Sequence, residues 1–136
     1  MSVDAKEKCI ALLSSTTVSL AADANTTLYT VPEGKICVLD FLMVIAGTTG
    51  AVAGASPTAK FTVGRSTALT DFLAENTMTN LAATGDYVIC RPIPNVIPLK
   101  GKTYAASVII QLDVTTADAD GCTDNTVLLF GILYDA

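Results

Sequence analysis

The chain has 136 residues, the length of one domain, and is long enough to hold a core without disulfides or metals. Hydrophobic residues make up 51% and charged residues only 15%, against about 25% charged in an average soluble domain. A net charge of −5 with eight scattered basic residues gives no cationic patch for phosphates, so nucleic acid is not an expected partner. A membrane is not expected either, because the longest apolar run, Ile36 to Ala46, is interrupted by Asp40 and falls short of the ~20 residues of a span.

Residues 1–8 are polar and unpatterned and read as an N-terminal arm, with no secretory signal, ahead of a domain covering residues 9–136. Cys9 to Leu13 is apolar, and the β-branched Thr16, Thr17 and Val18 continue it as a strand. Asp23 and Asn25 mark a loop, and Leu28 to Val31 forms a short strand. Pro32-Glu33-Gly34-Lys35 then reads as a type I turn with Pro32 at its second position.

Ile36 to Ile45 is the most informative stretch, because nine of its ten residues are apolar. A strand with one face in water alternates apolar and polar residues, and this one does not. Its odd positions, Cys37, Leu39, Phe41, Met43 and Ile45, carry no charge and are assigned to the core. Its even positions, Ile36, Val38, Asp40, Leu42 and Val44, are assigned to contact with a partner. Gly47 to Pro57 is rich in glycine and small residues and reads as a loop.

Lys60 to Arg65 is a strand with Phe61 and Val63 on one side. Leu69, Phe72 and Leu73 are spaced as on a helix, which predicts one helical turn inside a long connection over 66–80. Tyr87 to Arg91 is a strand, followed by Pro92, Pro94 and Pro98, which suit an edge. Thr103 to Val114 reads as a second long strand with Ala106, Val108, Ile110, Leu112 and Val114 inward. Thr126 to Tyr134 closes the sheet and is apolar on both faces. Seven to nine short strands without a long helix predict an all-β antiparallel sandwich of jelly-roll type.

Chemistry is weakly indicated. The absence of histidine removes the usual activation of Ser or Cys nucleophiles and excludes a mixed Cys/His zinc site. Cys9, Cys37, Cys90 and Cys122 are widely spaced and read as free thiols. Arg91 follows Cys90, but neighbouring strand residues point to opposite faces, so that charge does not activate the sulfur. Asp118, Asp120 and Asp124 form the one acidic cluster and a weak calcium candidate, departing from the EF-hand pattern in the position of Gly121. The alternative is a solvated turn. No catalytic residue and no cofactor are expected.

Residues Thr26 to Lys35, TTLYTVPEGK, resemble the Leu-Tyr-Thr-Val-Pro-x-Gly-Lys opening of many tailed-phage virion proteins of β-sandwich type, including capsid decoration, head-fibre and tail accessory proteins. The close of the chain is similar too, from Asp113-Val-Thr-Thr-Ala to Phe130-Gly-Ile-Leu-Tyr, as is Asn80-Leu-Ala-Ala-Thr-Gly-Asp86 before a middle strand. The resemblance implies a bacteriophage structural protein made in the host cytoplasm and located on the capsid surface. It implies a homo-oligomer, with a trimer expected, in contact with the major capsid protein or other virion proteins. A glycan-binding module of a tail or adhesion protein is the alternative.

Overall fold

The computed structural model describes residues 9–48, 58–92, 102–119 and 121–136. Among these, nine strands and no helix are present: β1 (Ala11–Val18), β2 (Asn25–Thr30), β3 (Lys35–Ile45), β4 (Lys60–Arg65), β5 (Ala68–Thr77), β6 (Tyr87–Cys90), β7 (Lys102–Tyr104), β8 (Ile109–Thr116) and β9 (Asn125–Asp135). They form two antiparallel sheets, as the all-β reading requires. Sheet A has the order β1-β9-β3-β6, with β7 also pairing on β3, and sheet B has the order β2-β8-β4-β5. The N-terminal arm, most of the glycine-rich loop and Pro94 to Gly101 lie outside the described residues.

The core lies between the sheets. Sheet B contributes Leu28, Phe61, Val63, Phe72, Ile110, Leu112 and Val114, and sheet A contributes Val18, Cys37, Leu39, Leu42, Val44, Val127 and Leu129. One polar tie crosses the layers: the buried Tyr104 hydroxyl on β7 donates to Asp71 Oδ1 on β5 at 2.9 Å. That carboxylate also accepts from Arg65 Nε at 2.7 Å and from the Arg65 backbone N–H at 3.1 Å.

The turn between β2 and β3 differs from the expected one. The Lys35 N–H donates to the Pro32 carbonyl at 3.2 Å, so Pro32 opens the turn rather than occupying its second position. Gly34 then sits third with φ +75°, the left-handed value that a type II turn requires there.

Two longer segments also depart from expectation. Residues 66–80 hold no helical turn, because β5 pairs with β4 along Lys60↔Thr77, Phe61↔Asn76, Val63↔Leu73 and Arg65↔Ala68. Register shifts along this ladder bury Phe72 and Leu73 in succession, which produces a helix-like spacing on a strand. The single strand expected over Thr103–Val114 is two. β7 ends in sheet A at Tyr104, Ser107 adopts φ +67°, and β8 begins in sheet B at Ile109. The crossing is pinned to the end of β2 by Val31 N–H to Val108 O at 3.0 Å and Ser107 N–H to Val31 O at 2.9 Å. Ile110, Leu112 and Val114 point inward as expected, while Ala106 and Val108 lie in the crossing.

The decisive irregularity is in β3. Leu39 pairs with Gly131 of β9 and Phe41 pairs with Phe130, so Asp40 is an extra residue in a β-bulge. Cys37 and Leu39 are buried before it, and Leu42 and Val44 after it. The inward phase therefore changes from odd to even positions within one strand. β1 is bulged between Leu12 and Ser14, opposite the same part of β9. β9 itself alternates without interruption, with Val127, Leu129 and Gly131 inward.

Candidate assembly surface

The bulge corrects the assignment of faces. Leu42 and Val44 are 0% and 1% exposed and belong to the core, so they are not available to a partner. Phe41, Met43 and Ile45, assigned to the core from their odd positions, lie on the outer side of sheet A. Ile36, Val38 and Asp40 remain partly exposed there. The two residues between inward Leu39 and Leu42 are Asp40 and Phe41, and together they oppose Phe130.

Cross-strand register assembles these side chains into rows, since residues directly opposite share a face. Leu12, Phe130 and Phe41 form one row across β1, β9 and β3. Ser15, Leu128, Met43 and Ile89 form the next, and Thr17, Thr126, Ile45 and Tyr87 the one after. On the other side of the bulge, Ile132 lies beside Val38 and Tyr134 beside Ile36. Leu12 is 52% exposed, Ile89 50% and Tyr87 62%.

An aromatic cluster marks the middle of this face. The Phe41 and Phe130 rings stack with centroids 4.5 Å apart and planes 14° apart. Arg91, just past β6, holds its guanidinium carbon 5.2 Å from the Phe41 ring centroid, within cation–π range. Asp40 beside it makes no hydrogen bond or ion pair among the described residues. At the far end, Lys35 Nζ pairs with Asp135 Oδ1 at 2.6 Å.

Sheet B contrasts with this. Its outer side carries Thr27, Gln111, Asp113 and Thr115: Gln111 Nε2 donates to Thr27 Oγ1 at 3.3 Å, and the Thr115 hydroxyl to Glu75 Oε2 at 2.6 Å. One sheet is dressed for water and the other is not. Strands β1, β9, β3 and β6 are unequal in length, and at about 3.3 Å per residue and about 4.8 Å between strands their outer face covers roughly 540 Å² in plan, polar positions included.

Two members of the acidic cluster accept hydrogen bonds from threonines far away in the sequence. Asp118 Oδ2 accepts from the Thr58 N–H at 2.9 Å and the Thr58 hydroxyl at 3.2 Å. Asp124 Oδ2 accepts from the Thr48 N–H at 3.2 Å and the Thr48 hydroxyl at 3.0 Å. The two carboxylates thus hold the two stems of the segment 49–57 by the same pair of bonds. Asp120 lies outside the described residues, and no metal-ligating cluster of three groups occurs among those described.

The four thiols are free. Burial pushes the Cys37 and Cys90 thiols up to about 11, and the Cys122 thiol is raised by burial and by its bond to Asp124 at 2.9 Å. Such sulfurs are protonated at neutral pH and poor nucleophiles. A cavity of about 300 Å³ beside β1 is lined mainly by Ala11, Leu12, Leu13, Tyr29 and Leu133, with no convergent set of acids.

No protein-family model matches the chain, and no curated protein sequence matches it. Solved structures do. One match is a chain of the cyanophage Pam1 capsid asymmetric unit, at TM-score 0.52 and 11% identity, covering 97% of this chain and 91% of that one. Another is a chain of the capsid of Ralstonia phage GP4, at TM-score 0.53 and 14% identity, covering 100% of this chain and 89% of that one. Both alignments run nearly end to end on both partners, so the matched chains are of similar length. At these identities the likeness is one of fold: this chain is similar in fold to chains found in two phage capsids.

Proposed function

We propose that this chain is a structural component of a bacteriophage virion, a capsid decoration or accessory protein that assembles through the outer face of sheet A. The observation that carries the reading is the asymmetry of the sandwich, with one outer face largely polar and the other bearing apolar side chains along β3 and β9 centred on Phe41 and Phe130. Covering apolar surface contributes roughly 25 cal/mol per Å², and symmetry multiplies weak contacts on a lattice. The end-to-end likeness to capsid chains supports the same reading. So does the strand order, β1-β9-β3-β6 against β2-β8-β4-β5, which suits a jelly roll of two four-stranded sheets with β7 added.

The contact residues in this reading are Ile36, Val38, Phe41, Met43 and Ile45 of β3 with Leu128, Phe130 and Ile132 of β9. The partners are other virion proteins, the major capsid protein among them. The test is the protein content of purified virions of the source phage. The chain is expected in a copy number commensurate with the capsid lattice; its absence from washed particles would overturn the role.

A further inference from the structure

We propose that the outer face of sheet A pairs with the same face of a second copy about a two-fold axis, Asp40 of each copy meeting Arg91 of the other. The inference rests on the reading of this face as an assembly surface and names the occupant.

Charge is the first argument. The middle of the face carries one acid and one base, both beside Phe41. Among the described residues Arg91 faces only the Phe41 ring, and Asp40 makes no hydrogen bond or ion pair. The other charges along β3 and β9 are already matched, Lys35 to Asp135 at the far end. Covering Asp40 with an apolar partner would strand a carboxylate away from water. A two-fold copy instead supplies the opposite charge at both positions, because in an isologous contact residue i meets j and j meets i.

Area is the second. The face covers in plan roughly two thirds of the ~800 Å² per partner of a stable interface, and its large exposed side chains, Leu12, Ile89 and Tyr87, lie on the strands flanking the aromatic pair. Two sheets packed face to face at about −30° interdigitate such rows. A face that meets itself closes at two copies, whereas a three-fold ring needs two different patches. For this surface the dimer therefore replaces the trimer expected from the sequence.

The experiment is sedimentation velocity on the full chain across the micromolar range. Wild type is expected to dimerise. Asp40→Arg and Arg91→Asp, both at partly exposed or exposed positions, should each weaken self-association at least about tenfold with unchanged circular dichroism. An equimolar mixture of the two variants should recover the dimer, since each copy then offers the charge the other lacks. Ile89→Glu should also give a monomer with a native spectrum. A wild type that stays monomeric, charge variants that associate as wild type, or a mixture no tighter than its components would overturn the pairing. A monomer present in virions would remove the two-fold contact and leave the virion role standing; a dimer absent from virions would do the reverse.

Discussion

Phe41 and Phe130 stack on the solvent side of sheet A, 4.5 Å between centroids, although Phe41 follows two odd-numbered core residues of the same strand. The extra residue Asp40 puts it there. Because side chains alternate with period two, one inserted residue sends every later side chain of β3 to the opposite face. Everything proposed for this surface depends on that phase change.

The phase can be read by truncation. Leu42→Ala removes a fully buried side chain and is expected to cost about 2–5 kcal/mol of unfolding free energy. Met43→Ala, one position along on the outer face, should cost less than about 1.5 kcal/mol. Leu42→Asp should unfold the chain rather than release a folded monomer. Urea titration of the three variants checks this, and equal losses at positions 42 and 43 would refute the phase.

Gly131 is where β9 passes between its two bulged neighbours. A Cβ there would collide with the Val38 carbonyl oxygen and lie 3.0 Å from Leu13 Cδ1. Gly131→Ala is therefore expected to lose about 1–3 kcal/mol or more, with a thermal midpoint lowered by several degrees. An unchanged midpoint would mean that the bulges do not bring β3 this close.

Asp118 and Asp124 act as clamps on Thr58 and Thr48, and their bound oxygens serve two separate stems. Calcium or EDTA should leave the thermal midpoint unchanged. Asp124→Ala should cost about 1–2 kcal/mol, the range for hydrogen bonds to a partly exposed charged group. A midpoint that rises with millimolar calcium and falls again with EDTA would favour the metal-site reading instead.

The thiols separate by exposure. Ellman's reagent should modify Cys9 promptly in the native chain, and Cys37, Cys90 and Cys122 only as the chain opens. The sign of the alkaline effect follows from the raised values near 11 for Cys37 and Cys90. The folded state keeps protons that the unfolded chain releases near pH 9, so this contribution is complete below pH 9 and is lost as pH rises toward 11. A denaturant midpoint that falls between pH 9 and 11 in wild type, and falls less in Cys37→Ala, is the expected outcome.

The sequence by itself determined the class of the fold. Short β-branched and apolar runs, set off by Pro32-Glu33-Gly34-Lys35 and the polar loops, leave no room for a long helix, and most strands lie where their residues place them. It also determined that β3 and β9 are apolar on both faces, because that depends on composition alone. Only the tertiary structure decided which face is which. A bulge has no signature in the local pattern of Leu39-Asp40-Phe41; it exists because β9 holds Gly131 and Phe130 against β3 in a register that leaves Asp40 over. The same is true of β5, whose helix-like spacing of Leu69, Phe72 and Leu73 is overridden by pairing with β4, and of the break at Ser107 that sends one apolar run into both sheets. Periodicity is a property of neighbours along the chain, whereas register is set by hydrogen bonds between residues far apart in it, and the surface of this protein is written in register.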